Sequence, residues 1–399
     1  SLWLGPAATL RADGSDARLY TNGLGVSSGE LLGGGSITLG GSTDKTADGS
    51  SVLNPAYAYV VIQPGATLSA GGMSAFGLTF QSGSGTTTVD RLTSAGGSID
   101  IRSSLGMELY GSFLGSAGVG ASAGSLTVAL EGDTDAVLNV VKSGKPVGST
   151  TAKAAASAST YQGTSGSATV LASGLTDGGF GRLRLRSSGA LGFSLETGDQ
   201  TLTASQAIVL DAPTLLADKS LRTAVYKDLL KTAITELKAA DKLAGVKRTA
   251  DELAEAAAPL ASARLASSSL LQDTPGTLWL QAPYVQLGDS GSEQTVYPLV
   301  VPPDAAAPRS AIAGNSVLKV AASNIDLKGH SALQGFGTAS LDAAQDVRLV
   351  GVAWSDAQTG YFDGTQRGSF WMKGALDLTS AQVLPTTLTD FTFAVAGSD

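Results

Sequence analysis

In GSIDIRSSLGMEL (Gly97 to Leu109), apolar and polar residues alternate in two short runs separated by a small polar break. Side chains alternate across a strand, so Ile99 and Ile101 face one side while Asp100 and Arg102 face the other; Met107 and Leu109 repeat the arrangement after the break. The same grammar returns as GRLRLRSSGALGF at Gly181, GTLWLQAPYVQL at Gly276, NSVLKVAASNIDL at Asn315 and GSFWMKGALDL at Gly368. The inward-facing sets are then Leu183, Leu185, Leu191 and Phe193; Leu278, Leu280, Val285 and Leu287; Leu318, Val320, Ile325 and Leu327; and Phe370, Met372, Leu376 and Leu378. GSLTVAL (Gly124 to Leu130) and GTASLDAAQDVRL (Gly337 to Leu349) are looser copies.

Each copy predicts two short strands with one apolar face apiece, and several successive copies begin about 20 to 40 residues apart, the spacing of one or two turns of a solenoid. Such a unit buries its apolar face only by stacking on its neighbours, while its backbone groups pair with the turns above and below. A β-sandwich would need tight two-residue hairpins, and Asn-Gly occurs only at Asn22-Gly23. The pattern therefore predicts an all-β chain, a right-handed parallel β-helix, rather than a sandwich. RSS (Arg102 to Ser104), AAS (Ala321 to Ser323) and Lys373-Gly374 fall where the chain would turn a corner.

The period changes between Leu216 and Leu270, where Gly nearly vanishes and Ala, Leu, Lys and Glu dominate. That spacing predicts helix. A first helix begins near Asp218, carries Tyr226, Leu230, Ala233 and Leu237 on one stripe, and stops at Gly245. A second begins at Thr249, which with Glu252 forms a capping box, and Pro259 bends or ends it. The chain thus divides into β-helix over 1–215, a helical hairpin inserted over 216–270, and β-helix over 271–399. The simplest expectation is that the hairpin lays its apolar stripe along the rod, with Asp218 and Arg222 on a solvated face; a partner-binding role is the sharper alternative. An irregular region rich in Ala, Ser and Thr spans 133–179 and reads either as a protruding loop or as thin β-coils. Tyr297 to Ala311 is Pro-rich and reads as an extended excursion.

Composition narrows the partners. The 399 residues carry 51 Gly, no Cys and a net charge of -8, with no basic run for a phosphate backbone, so nucleic acid is not expected. Absence of Cys removes disulfides, thiolate metal sites and Cys nucleophiles together. No stretch is long and apolar enough for a membrane-spanning helix, and no membrane insertion is expected. The opening SLWLGPAATL lacks both an initiator Met and a signal pattern, which reads as a piece of a longer polypeptide whose export signal lies upstream.

Candidate chemistry is sparse. His330, the only histidine, sits in KGHSAL and reads as a solvent-facing turn residue rather than a member of a triad or metal site. The acidic groups Asp13 and Asp16, Asp44 and Asp48, and Glu131, Asp133 and Asp135 fall in Gly-rich loops, where Asp caps turns. Paired carboxylates would suit a glycan-cleaving β-helix, and Glu131, Asp133 and Asp135 are the best calcium candidates, but neither set has the surrounding pattern those roles need. No catalytic, cofactor-binding or metal residue and no cofactor is assigned, and the chain is expected not to be an enzyme. Trp3, Trp279, Trp354 and Trp371 lie in or beside strand-like runs and read as packing anchors, with ligand contact as the alternative.

Three stretches together resemble the large bacterial exoproteins of the filamentous haemagglutinin type, exported by two-partner secretion: Gly178 to Leu215, Gly314 to Leu349 and Gly368 to Phe393. The resemblance implies a rigid β-helical shaft, secreted or displayed on a Gram-negative cell surface. Its roles would be adhesion, aggregation, biofilm formation or display of an effector, with virulence as the context. Partners would be a host or bacterial surface protein or glycan, and an outer-membrane transporter engaged through an upstream secretion domain. That domain's Asn-Pro-Asn motifs are missing, only NPAY at Asn54 being present, so an internal or C-terminal passenger fragment is expected. A tailspike-like glycan depolymerase is the alternative function.

Overall fold

The computed structural model describes residues 1–21, 23, 27–45, 51–81, 87–132, 136–144, 165–217, 220–266, 276–289, 314–353 and 365–397. Alternating apolar positions here become long parallel ladders, and the chain is mostly β. Among the described residues, sheet A runs in the order Leu2–Leu4, Tyr59–Ile62, Gly106–Leu109, Ser167–Leu171, Val137–Val141, Ala190–Phe193, Thr214–Ala217, His330–Gln334, Gln366–Lys373 and Thr389–Ala396, with Val352–Ala353 antiparallel beside Gln366–Lys373. Sheet B runs Ser36–Leu39, Ser98–Ser103, Ser125–Leu130, Arg182–Ser187, Ala207–Asp211, Tyr284–Gly288, Asn324–Lys328, Asp346–Val350 and Gln382–Pro385. Sheet C runs Gln200–Thr203, Thr277–Gln281, Ser316–Ala322, Phe336–Ala343 and Ala375–Thr379; sheet D runs Thr9–Arg11, Thr67–Ser69 and Ser112–Leu114. The short helix α1 (Ala172–Thr176) touches the last strand of D and the first of C.

The chain visits these sheets in a repeating order, D or C first, then B, then A. Before Arg182–Ser187 the helix α1 stands in place of a strand of D or C, and two further departures concern sheet A. After Ser125–Leu130 of sheet B, two strands enter sheet A, and the earlier in sequence, Val137–Val141, lies beyond the later, Ser167–Leu171. After Tyr284–Gly288 of sheet B, the next described strand is Ser316–Ala322 of sheet C, and Thr214–Ala217 pairs directly with His330–Gln334. Sheet A therefore gains a strand at the first place and lacks one at the second, which brings A and B back into step.

The inward sets form one apolar core drawn from all four sheets. Ile101, Leu109, Leu191, Phe193, Leu280, Val285, Leu287 and Ile325 are fully enclosed. Leu376 and Leu378 lie in the last strand of sheet C and are only partly covered. The corners depend on serine. Buried Ser103 donates to the carbonyl of Ala58 at 2.6 Å and accepts from the amides of Leu105 and Gly106 at 3.0 Å, so the B-to-A turn satisfies its polar groups internally. Ser187, in the second RSS, occupies the same corner and donates to the carbonyl of Ala136 at 2.9 Å. Gly329 turns the corner from Asn324–Lys328 to His330–Gln334 with φ 60°, and a Cβ there would stand 1.9 Å from the Asp289 carbonyl oxygen.

Several expectations change. Leu216 and Ala217 still belong to a strand of sheet A, and the hairpin comprises α2 (Ser220–Ala244) and α3 (Ala250–Ala266). Gly245, φ 69°, ends α2 as expected, and the capping box forms: the Thr249 amide donates to Glu252 Oε2 at 2.8 Å and the Glu252 amide to Thr249 Oγ1 at 3.3 Å. Pro259 does not end α3, which continues through it to Ala266. The buried hairpin residues Ala233, Leu253, Ala257 and Ala261 do not join the sheets' core, because the two helices pack on each other. The described part of the irregular region holds strands Val137–Val141 and Ser167–Leu171 with α1, while residues 145–164, most of its Ala, Ser and Thr run, lie outside the described residues. Asp218 and the Pro-rich stretch from Tyr297 lie outside the described residues. Four antiparallel pairs of consecutive strands among the described residues were not anticipated: Asp16–Thr21 with Ser27–Leu31, Gly41–Lys45 with Ser51–Pro55, Ser74–Gln81 with Thr87–Thr93, and Val352–Ala353 with Gln366–Lys373. Asn22-Gly23 lies between the strands of the first.

Candidate interaction surfaces

Sheet B carries charge on its outer face in a pattern set by register. Asp100 stands opposite Thr127, and Thr127 opposite Arg184; beside them Arg102, Ala129, Arg186 and Asp211 follow one another across four strands. Thr127 and Ala129 are short, so arginines on either side of their strand reach Glu131 just past its end: Arg102 at 3.5 Å and Arg186 at 3.1 Å. Arg102 also donates to Asp100 at 2.8 Å, while Asp211 accepts from Arg184 at 2.8 Å and lies 3.7 Å from Arg186. Burial works against the Arg102 charge, but the hydrogen bonds and charge of Asp100, with Glu131 behind them, outweigh it and push the pKa up. The Asp211 side chain is 1% exposed and that of Arg186 8%.

A second cluster lies further along the same sheet. Asp326 accepts two hydrogen bonds from Arg348, at 2.7 and 2.8 Å, and one from the Tyr284 hydroxyl at 2.8 Å. Burial first, then the Asp326 carboxylate, push the Tyr284 phenol above its ordinary range. In both clusters carboxylates and guanidinium groups from neighbouring strands meet in charge-assisted hydrogen bonds, which bind the strands together. Glu131 and Asp211 both approach the single guanidinium of Arg186, at 3.1 and 3.7 Å.

Of the acidic residues singled out in the sequence, Asp13 accepts from the Ser69 hydroxyl, the Gly71 amide at 2.8 Å and Arg11 at 2.8 Å. Burial raises its pKa, but these hydrogen bonds and the Arg11 charge bring it below the usual carboxylate value. This is a turn lock joining two successive levels of sheet D. Asp16 opens a strand of the first antiparallel hairpin and Asp44 lies in a strand of the second. Asp48, Asp133 and Asp135 lie outside the described residues, so of the Glu131 group only Glu131 is placed, in the ion network. Among the described residues, no group of three or more His, Cys, Asp and Glu could hold a metal ion.

His330 is not a solvent-facing turn residue. It opens a strand of sheet A, is half-buried, and its Nδ1 lies 2.8 Å from the Oγ of Ser369, its register partner. Burial holds its pKa below the ordinary histidine value. The placement is not legible in the sequence, because the preceding Gly reads equally as a turn or as the corner before a strand.

The tryptophans separate. Trp3 and Trp371 are half-buried strand residues, Trp354 lies outside the described residues, and Trp279 is 42% exposed on the outer face of sheet C. Register places Thr201, Trp279, Lys319, Ser340 and Asp377 in one row across that face. The buried Leu202, Leu280, Val320 and Leu341 of the same strands point the other way. A flat row of hydroxyls and charges around an indole face can stack on and hydrogen-bond a ring. The arginine network, the missed feature of sheet B, was legible as RLRLR at Arg182 to Arg186 but lacked its acidic partners until register supplied them. No protein-family model, no curated protein and no solved structure matches this chain.

Proposed function

We propose that this chain is a non-catalytic shaft of the filamentous haemagglutinin type, a right-handed parallel β-helix secreted by or displayed on a Gram-negative cell and working in adhesion or aggregation. The observation that carries the reading is the repeated passage of the chain through parallel sheets that share one core while turning polar faces outward. Such a body is stiff, is extended by adding levels, and offers long flat surfaces to a partner. The row containing Trp279 is the surface best suited to a cell-surface glycan or protein, and export through an outer-membrane transporter belongs to the same reading. The test is binding of the purified chain to cells and to immobilised glycans, with Trp279→Ala alongside. The reading expects binding that Trp279→Ala lowers at least several-fold, since removing a stacking aromatic forfeits on the order of 1 kcal/mol or more. Failure to bind any cell or glycan surface would count against it.

A second reading, a glycan-cleaving β-helix, draws on Glu131 and Asp211 meeting at Arg186. Opposed carboxylates are the working pair of glycoside hydrolysis. That reading requires release of reducing ends from a polysaccharide, abolished by Glu131→Gln. The shaft reading expects no release from either protein.

A further inference from the structure

The far end of the helical hairpin differs in character from the rest of the chain. Residues 237–249 hold Lys238, Lys242, Lys247 and Arg248 against the single acid Asp241, within a chain of net charge -8. Asp241 is engaged by Arg248 at 3.5 Å, while Lys238, Lys242 and Lys247 are exposed and have no ion pair among the described residues. The acids that follow are Asp251 and Glu252 on the first turn of α3 and Glu255 on the next, and Glu252 is turned back onto the Thr249 amide. The left-handed Gly245 reverses the chain here, and on either side of it Leu243 is 91% exposed and Val246 45%. Among the described residues, the hairpin's buried side chains Ala233, Leu253, Ala257 and Ala261 stay out of the sheets' core, and Leu243 and Val246 at the turn join neither group.

We propose that the tip of the α2–α3 hairpin docks on an anionic lipid surface, with Leu243 and Val246 entering the headgroup boundary and Lys238, Lys242 and Lys247 meeting the lipid charges. Charge complementarity selects an anionic occupant, and the exposed aliphatic pair selects a membrane over a soluble polyanion, which offers nothing to a leucine. Among the described residues no helix is long and apolar enough to cross a membrane, so the contact is interfacial. The inference stands apart from the shaft reading, since it concerns the hairpin alone.

The test is co-sedimentation of the full chain with vesicles of phosphatidylcholine alone or with added phosphatidylserine. Binding is expected only with phosphatidylserine and should weaken in high salt. Each of Lys238→Ala, Lys242→Ala and Lys247→Ala should lower partitioning by about five-fold. Leu243→Ser with Val246→Ser should lower it by about ten-fold or more. Both aliphatic positions are exposed, so far-UV circular dichroism should show the hairpin intact in each variant. Absence of binding to phosphatidylserine vesicles overturns the proposal. So does binding that the lysine variants weaken and the double serine variant does not, which would assign the tip to polyanions in solution. Neither result would touch the adhesion test on Trp279.

Discussion

Asp211 is enclosed almost completely and faces two arginines, so its contribution depends on both partners staying in place. Taking away one member of a buried ion pair strands the other's charge, and Asp211→Ala is expected to destabilise the fold by about 3 kcal/mol. Denaturant unfolding checks this, and a loss under about 1 kcal/mol would mean that Glu131 holds Arg186 unaided. His330 gives a sharper single-residue readout, because the only histidine yields one imidazole Cε1 proton signal. Its NMR titration midpoint should fall below the ordinary value of 6.5, since burial disfavours the charged ring. Between the folded and ordinary values the unfolded chain binds the proton first, so stability falls as pH drops through that window, and His330→Gln should flatten the fall. At this scale the sequence was most legible where side chains face inward: Ile99, Leu185, Val285 and Leu327 were all identifiable from alternation alone. It was least legible for polar residues, since Glu131 and Asp211 lie far apart in the chain and only register brings them to Arg186.

Elements were legible in proportion to their periodicity. The capping box at Thr249 was read correctly because it is local, needing only a hydroxyl and a carboxylate three residues apart. Thr249→Ala should remove about 1 kcal/mol from α3. Pro259 does not end the helix for the converse reason: a helix with enough packing on its partner tolerates a missing amide, and Ala257 and Ala261 on either side of the proline are both buried. Pro259→Ala should therefore strengthen α3, by up to about 3 kcal/mol, seen as slower amide exchange across Ala250–Ala266. Unchanged exchange would show that the helix already absorbs the proline without strain. The antiparallel hairpins are not legible in the sequence because their strands do not follow the repeat.

At the scale of the molecule, the hairpin and the sheets have separate buried interiors among the described residues. Replacing residues 220–266 with a short linker should remove the helical circular dichroism signal while leaving the thermal midpoint of the β signal nearly unchanged; a large drop would show that the sheets lean on the hairpin. The long parallel sheets were legible because one motif recurs, but the extra strand in sheet A and its later repayment were not, since each is a choice of neighbour rather than of conformation. That choice carries a consequence for assembly in time. A chain that emerges from its N-terminus zips up level by level wherever sequence order and spatial order agree. At Val137–Val141 they disagree: this strand reaches its station before the one that must lie beneath it, Ser167–Leu171. A nascent chain that has emerged only as far as residue 144 therefore holds a strand with no seat, and growth of sheet A waits there until Ser167–Leu171 has come through.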